Sequence, residues 1–354
     1  MYEETDFDNN YKELKIKKRR NPWKWLMLLI FAFLIPFLMY LSYVYGIFNF
    51  MTTGKISPAT ELKNLLWATE LDGENTGDIN VLFLGMRGNE EIEPYITNAM
   101  MVMNVDKKTK KINLISVPRD LQVPVPEYGY SKVNSIYKIA RYKNNDNDDK
   151  NLEFSKKIFA DFLGIDIHYA FLVDFSGFEE MIDDIGQVEV SMTEQEAKNY
   201  PFLEEEKFKG SRVPNSNVSY RLNGEQSLIF IRWPENAIPD FDRIKRQHLF
   251  LFSLRDQYLN YNVLLNPIKT IRMMQAGSEN IKTDFNLWEI LKFIEITKDI
   301  NMGNINKHYL NTNSETDGGL LSESKINNQV IYLPRAGKND FSEIQNWVGN
   351  IILK

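Results

Sequence analysis

The sequence predicts an α/β domain with a mixed central sheet, preceded by a single transmembrane helix. Stretches typical of strands alternate with stretches typical of helices over residues 78–300, an order that favours a layered α/β domain. Before them, the 24 residues from Trp25 to Phe48 contain no charged side chain. These two observations separate an N-terminal anchor from a folded domain.

The uncharged segment is long enough to cross a bilayer. At 1.5 Å per residue its length exceeds the roughly 30 Å hydrocarbon core. The basic run from Lys12 to Lys24 precedes it, so the positive-inside rule places the N-terminus in the cytoplasm. A cleavable signal peptide is the alternative, but no small-residue cleavage pattern follows. The expected parts are a basic tail, a transmembrane helix, a juxtamembrane helix with linker, an extracytoplasmic domain and a C-terminal extension: 1–24, 25–48, 49–77, 78–302 and 303–354.

Composition excludes several functions. The chain of 354 residues has a net charge of −6, which argues against a general nucleic-acid-binding protein. It has no cysteine, so thiolate metal sites and disulfides are excluded. Its three histidines (His168, His248 and His308) are far apart in sequence, which makes a histidine zinc site improbable.

The sequence of the first half of the domain predicts three strands of a sheet, with a cationic residue at the end of the third strand. We expect strands over 78–85, 98–105 and 111–117, with a hairpin turn at 106–110. Pro118-Arg119-Asp120 follows the third strand directly. Arg119 therefore leaves a strand end, where α/β proteins commonly bind ligands.

Further along the chain, helices and short strands alternate. We expect a loop at 123–130 and a mobile insert at 144–151, with Asp174 as the N-cap of the helix that follows it. The irregular segment at 192–220 should be a β-excursion or a loop over the site, and 222–232 a helix leading into a strand. The remaining predicted helices are one beginning at Asn134 and those over 152–163, 175–185, 240–261 and 283–300, with one from Phe341. The remaining predicted strands are 168–173, 188–190 and 330–333.

One octapeptide, Asp240–Gln247, suggests an anion site. On a helix, Arg243, Arg246 and Gln247 share one face. Neighbouring guanidinium groups repel each other unless an anion lies between them, and the arginine fork suits phosphate. Asp240 and Asp242 could orient the arginines or hold a cation. A solvated helix start with exposed arginines is the alternative.

Five cations spread along the sequence could form one phosphate-binding cavity if the fold brings them together. Four of them lie where strands end or helices begin, and such a cavity would favour phosphoryl transfer. The alternative is that each is an ordinary ion-paired surface residue. The five are Arg119, Lys132, Arg232, Arg243 and Arg246.

Six ordered motifs, together with the anchor, resemble the LytR–CpsA–Psr (LCP) family over roughly residues 78–300. The most specific parts are Ser116–Asp120, which ends the strand–turn–strand motif, and the motif Asp240–Gln247. The other four motifs are the strand ending at Gly85, Lys-Val-Asn at 132–134, Val-Asp-Phe-Ser-Gly-Phe at 173–178 and Leu-Asn-Gly-Glu-Gln-Ser at 222–227.

The resemblance implies an α-β-α layered domain and a membrane-anchored phosphotransferase. Such enzymes move a glycopolymer from a polyprenyl-pyrophosphate carrier to peptidoglycan outside the cell, usually with Mg²⁺. The implied partners are the lipid-linked glycan, peptidoglycan and the membrane, and no nucleic acid.

The resemblance also assigns roles to residues. Arg119 and Arg243 would act in catalysis, with Asp240 or Asp242 as a base or supporting carboxylate. Residues such as Phe175, Phe178 and Phe250 would line the prenyl tunnel, although each could be ordinary core. The pyrophosphate would contact Arg119, Lys132, Arg232, Arg243, Arg246 and Gln247.

Two departures from the family pattern concern the metal. Aspartates of the family's Mg²⁺ site correspond to Met86 or Arg87 and to Asn98. An amide oxygen can coordinate Mg²⁺ but brings no charge. Arg87 could supply positive charge beside the pyrophosphate instead. The alternative function is therefore a catalytically degenerate relative that binds prenyl-pyrophosphate lipid or wall glycan as a scaffold or regulator.

Overall fold

The structure is a computed structural model that describes most of the residues from 70 to 352. The described segments are 70–86, 95–175, 177–208, 218–233, 241–258, 280–298 and 304–352, with residues 42, 212 and 300. The predicted anchor at 25–48 lies outside them except for Ser42. Within these segments, none of the helices combines the length and apolar character that crossing a bilayer requires.

Twelve strands and eight α-helices are described. The strands are β1 (Asp78–Met86), β2 (Thr97–Asp106), β3 (Lys111–Ser116), β4 (Gln122–Val125), β5 (Gly129–Lys132), β6 (Tyr169–Asp174), β7 (Val188–Ser191), β8 (Ser219–Leu222), β9 (Ile281–Thr283), β10 (Ile305–Tyr309), β11 (Leu321–Ile326) and β12 (Gln329–Pro334). The α-helices are α1 (Ile136–Asn144), α2 (Asp148–Leu163), α3 (Phe178–Ile185), α4 (Glu194–Lys198), α5 (Gly224–Arg232), α6 (Phe241–Tyr258), α7 (Leu287–Thr297) and α8 (Ser342–Ile352).

The central sheet is mixed, as the sequence predicts. Its order is β10-β3-β2-β1-β6-β9, with β1 parallel to β6 and β10 parallel to β3. Its other neighbouring pairs are antiparallel. The predicted α/β class with a mixed central sheet is therefore confirmed.

Helices cover both faces of this sheet. On β1, Leu82 and Leu84 pack into a core shared with α1, α2 and α8, whereas Ile79 and Val81 point to a second core shared with α6 and α7. Successive strand residues alternate between faces, so burial on both sides requires a nearly continuous apolar strand. This explains why 79–84 carries a single polar residue, Asn80.

That polar residue belongs to a row of asparagines across four strands. Asn306 Nδ2 donates to Asn113 Oδ1 at 2.8 Å, Asn113 to Asn104 at 3.0 Å, and Asn104 to Asn80 at 2.9 Å. Asn80 Nδ2 then donates to the carbonyl oxygen of Asp166 at 2.7 Å. Because each buried amide has a partner in the next strand, the row favours one strand register.

A third core lies among α3, α5, α6 and the β7–β8 hairpin. Here the structure corrects the predicted helix-to-strand segment at 222–232. Asn223 and Gln226 form a capping box, and α5 then continues to Arg232. Arg232 therefore ends a helix and not a strand.

Other boundaries differ because local capping overrides loop-like composition. Asn147 accepts from the backbone amide of Lys150, so the predicted mobile insert at 144–151 contains the first turn of α2. Asp174 lies in β6, and Gly177 is the residue that precedes α3. The predicted loop at 123–130 is largely the β4–β5 hairpin, and β8 ends the segment predicted as irregular.

The C-terminal segment packs within the same compact unit, Gly46–Lys354. Strand β10 pairs with β3 at the sheet edge. In the β11–β12 hairpin, the Tyr332 amide donates to the Asp120 carbonyl oxygen at 2.9 Å. Residues after 303 thus support the loop that carries Arg119.

Candidate functional site: a cation-lined cavity

A cavity of about 500 Å³ lies beside the end of β3, where the sequence predicts the site. It brings together six of the predicted residues, although they are up to 149 positions apart in sequence. Those six are Asn98, Arg119, Lys132, Arg232, Arg243 and Gln247. Its other lining residues are Ile96, Asp120, Ser131, Asn134, Ser135, Phe175 and Gln329.

Arg119 reaches the cavity because Pro118 follows the end of β3 and turns the chain. Its Nη1 donates to Asn98 Oδ1 at 3.4 Å, and its Nε lies 3.4 Å from Asp120 Oδ2. The carbonyl oxygen of Arg119 accepts from the Asn134 amide at 3.3 Å. The start of β2, the loop after β3 and the segment after β5 therefore jointly position this guanidinium group.

Lys132 enters the cavity from the β4–β5 hairpin. The hairpin pairs Gln122 with Lys132, and Lys132 Nζ lies 2.6 Å from Asp120 Oδ1. Asp120 thus accepts from Lys132 on one oxygen and contacts Arg119 with the other. This carboxylate orients two cations at the same time.

The helices supply the opposite wall. Arg232 is the last residue of α5, and Arg243 and Gln247 lie one turn apart on α6. Arg243 is 7% exposed. Gln247 Nε2 donates to the Ile231 carbonyl oxygen at 3.2 Å, which joins α6 to the end of α5.

Arg246 does not line the cavity, and this corrects the prediction that it contacts pyrophosphate. It is 1% exposed, and its Nε donates to the Phe230 carbonyl oxygen at 2.8 Å. Its guanidinium carbon lies 5.0 Å from the ring centroid of Tyr200 and 5.8 Å from that of Phe202. Arg246 therefore contacts the aromatic core between α5 and α6 by cation–π interactions.

Three predicted site residues lie partly or wholly outside the described structure. Arg87 and Asp240 are not among the described residues, and only the backbone of Asp242, in α6, is described.

Phe175 connects the cavity to the apolar core. Its ring lies so close to Gly85 that a Cβ there would approach it to 2.7 Å, so only glycine allows this contact. Phe175 contacts Phe178 edge-on with centroids 5.4 Å apart, and Phe178 lies 5.6 Å from Phe250. The three phenylalanines form a continuous apolar path from the cavity inward.

Sequence reasoning missed a buried histidine behind the cavity wall. His248 Nε2 lies 2.9 Å from Ser116 Oγ, and Nδ1 lies 3.4 Å from the hydroxyl of Tyr309. Burial lowers the pKa of His248 to about 3, with a smaller contribution from nearby Lys307. The neutral imidazole therefore joins β3, α6 and β10 just below the Arg119 loop.

Other cavity residues were missed for different reasons. Asp120 stands in the Pro-Arg-Asp motif directly after Arg119, and this was the available signal. Asn134 ends the Lys-Val-Asn motif, whereas Ser131 and Ser135 are polar residues near Lys132 that carry no distinct pattern. Gln329 begins β12, about 200 residues after Arg119 in a different segment, and no sequence signal links the two.

The oxygen atoms of the described lining residues do not form a set that suits Mg²⁺. Magnesium is usually held by carboxylates together with phosphate oxygens. Asp120, the one carboxylate among the described lining residues, contacts Lys132 and Arg119, and Asn98 Oδ1 accepts from Arg119. Among the described residues, no group of three histidine or acidic side chains could hold a metal ion.

A sequence comparison identifies the family of the chain. The family model of the LytR_cpsA_psr family matches residues 46–343, which is most of the chain. The chain belongs to this family.

Individual relatives share about a quarter of the aligned residues with this chain. The regulatory protein MsrR of Staphylococcus aureus (strain COL) is 27% identical over 260 residues, covering 72% of this chain and 73% of MsrR. The polyisoprenyl-teichoic acid–peptidoglycan teichoic acid transferase TagV of Bacillus subtilis (strain 168) is 26% identical over 231 residues, covering 61% of this chain and 52% of TagV.

Solved structures show the same fold. The crystal structure of B. subtilis TagV aligns with a TM-score of 0.55 at 22% identity, over 78% of this chain and 97% of TagV. The B. subtilis protein YwtF (TagT) with bound octaprenyl pyrophosphate lipid aligns with a TM-score of 0.52 at 16% identity, over 81% of this chain and 94% of that chain. At these identities the likeness establishes the fold alone.

Proposed function

We propose that this LCP protein is a membrane-anchored phosphotransferase. It moves a glycopolymer from a polyprenyl-pyrophosphate carrier to peptidoglycan or another envelope acceptor. The observation that carries the proposal is the meeting of Arg119, Lys132, Arg232 and Arg243 in one cavity. Residues 25–48 would anchor the chain, with the domain outside the cell.

The cavity chemistry suits transfer of a phosphoryl group. An acceptor hydroxyl oxygen forms a bond to the glycan-side phosphorus, the anhydride P–O bond breaks, and polyprenyl phosphate leaves with the electron pair. The hydroxyl proton passes to a base, for which Asp240 or Asp242 is proposed. Fixed guanidinium groups stabilise the charge on the phosphate oxygens, which is the main requirement of this reaction.

The apolar path beside the cavity supports a lipid carrier. Phe175 lines the cavity, and Phe178 and Phe250 continue from it into the third core, among α3, α5 and α6. An amphiphile with its diphosphate among the cations would have its prenyl chain directed along these rings. Among the relatives, TagT has a structure with octaprenyl pyrophosphate lipid bound.

Asn98 favours a second candidate function. It stands where family members carry a carboxylate, and its Oδ1 accepts from Arg119. A chain in which this replacement of the carboxylate abolished turnover would still bind prenyl-pyrophosphate lipid, and it would act as a scaffold or regulator.

One experiment separates the two candidates. The full chain in detergent is incubated with a polyprenyl-pyrophosphate-linked glycan and a peptidoglycan oligomer, with and without Mg²⁺. A transferase yields the joined product and free polyprenyl phosphate, measured by mass spectrometry. A protein that only binds the lipid retains it and releases no polyprenyl phosphate.

The Arg243→Gln variant tests whether the cavity is responsible. Loss of one guanidinium group that contacts the reacting phosphate should lower turnover by roughly 100-fold or more. Arg255→Gln, on the same helix but outside the cavity, is the control. Equal turnover in the two variants, or no turnover by the unmodified chain in either condition, would exclude the transferase.

A further inference from the structure

In the proposed function, the cavity holds a lipid diphosphate. Where the family pattern predicts a metal, side-chain oxygens of this cavity already contact cations of the protein itself. Among the described lining residues, Asp120 carries the one carboxylate, and Asn98 stands where the family pattern has a metal-binding aspartate. Both already accept from the protein's own cations. Lys132 Nζ is 2.6 Å from Asp120 Oδ1, and Arg119 contacts Asp120 Oδ2 and Asn98 Oδ1, each at 3.4 Å.

A divalent ion at these oxygens would lie next to an ammonium and a guanidinium group. The repulsion between a divalent ion and a neighbouring unit charge is twice that between two unit charges at the same distance. Mg²⁺ also gives up its water ligands reluctantly. Neutral Asn98 offers no charge to offset these costs, so the local electrostatics oppose metal binding.

The same arrangement suits a diphosphate without a metal. A diphosphate that links a lipid to a glycan carries two negative charges, and the described lining residues include three guanidinium groups and one ammonium group. Arg119 is oriented through its contacts with Asn98 and Asp120, and Lys132 through its contact with Asp120. Oriented guanidinium groups can form paired hydrogen bonds to phosphate oxygens.

We infer that this cavity binds the diphosphate group directly through its own cations, with no divalent ion between protein and phosphate. Arg119, held by Asn98, occupies the role that the family pattern gives to a metal. Asn98 is then a specificity-determining residue, because a carboxylate there would pair with Arg119 and provide a ligand for Mg²⁺. The inference rests on the proposed function for the identity of the ligand.

The test is isothermal titration calorimetry of the full chain in detergent with inorganic pyrophosphate, in EDTA and in excess Mg²⁺. We expect binding in EDTA and no tightening with Mg²⁺. Lys132→Gln should weaken binding about tenfold, whereas Lys143→Gln should leave it unchanged. Lys143 is a matched control because it is similarly exposed (31% against 26%) and ion-paired to Glu127 at 2.8 Å. Binding that requires Mg²⁺, no binding in either condition, or equal effects of the two lysine variants would overturn the inference.

Asn98→Asp provides the reverse test. The added carboxylate should weaken pyrophosphate binding in EDTA about tenfold, and Mg²⁺ should restore it. Unchanged affinity in EDTA would show that Asn98 does not control the charge around Arg119, and the assignment would fall.

These measurements do not depend on turnover. Metal-free pyrophosphate binding by a chain without transferase activity would support the inference and count against the proposed function. Transfer activity in a chain that binds pyrophosphate only with Mg²⁺ would do the opposite.

Discussion

Strand β2 carries an asparagine near each end, and the two ends of the sheet use this residue in different ways. At one end, Asn104 is fully buried and bonds with Asn80 and Asn113 in the asparagine row. At the other end, Asn98 lies in the cavity and accepts from Arg119. The same amide is satisfied by neutral neighbours in one place and orients a cation in the other.

The difference separates a structural polar group from one available to a ligand. The amides of the row satisfy each other and so stabilise one arrangement of strands. The cavity gathers four cations where a ligand can contact them, with one carboxylate among the described lining residues. We therefore expect changes in the row to affect unfolding and changes in the cavity to affect binding.

The largest expected effect comes from the centre of the row. Asn104→Ala removes its bonds to Asn80 and Asn113 and leaves polar atoms of both without these partners in a buried site. At 1–3 kcal/mol for each such group, we expect the free energy of unfolding to fall by about 3 kcal/mol. Urea unfolding followed by circular dichroism measures this change.

The outer end of the row offers a matched control. Asn306 makes the same kind of amide bond but is exposed, so water replaces the lost partner in Asn306→Ala. Its effect should stay within about 0.5 kcal/mol. Equal falls in the free energy of unfolding at positions 104 and 306 would show that burial does not determine how much each amide bond of the row stabilises the fold.

The next effect is expected at the cavity end, on binding instead of stability. Arg119→Gln removes a charged donor worth about 2 kcal/mol, so affinity for pyrophosphate should fall roughly 30-fold. The free energy of unfolding should remain within about 0.5 kcal/mol, because one of several clustered cations is lost. Calorimetry and urea unfolding of the same preparation provide both values.

Arg141→Gln is the counterpart outside the cavity. The two arginines are similarly exposed (24% and 20%), and Arg141 pairs with Asp146 at 3.0 Å and packs over the Tyr95 ring. It should keep wild-type affinity. If Arg119→Gln destabilised the fold as much as Asn104→Ala, the division between the two ends of the sheet would be wrong.

The two ends also differ in how far the sequence could predict them. The strands were found because 79–84 and 112–115 are apolar except for one asparagine each, and the cavity because Arg119 and Arg232 stand at ends of predicted elements. The asparagine row was not found, since it depends on strand order and register, which pair Asn306 with Asn113 across 193 positions.

Arg246 shows the limit of helical periodicity. Spacing correctly placed Arg243 and Gln247 one turn apart, yet Arg246 points into the aromatic core. A helix pattern assigns a face but does not tell which neighbouring element covers its edge. In this protein, Tyr200 and Phe202 cover that edge, and they come from a segment that the sequence left without regular structure.

The smallest expected effect concerns His248, a neutral buried group behind the cavity. Burial lowers its pKa to about 3, so the unfolded chain, with an ordinary histidine pKa near 6.5, binds a proton that the folded chain does not. Its contribution to stability is present above pH 6.5 and is lost as the pH falls toward 3. Between pH 6.5 and 5.5 the free energy of unfolding should drop by about 1 kcal/mol.

His248→Gln should remove this drop, even if it lowers stability at every pH, because glutamine does not titrate. Urea unfolding of both proteins at the two pH values measures the difference, and parallel pH dependences would show that the pKa of His248 is not lowered in the folded chain.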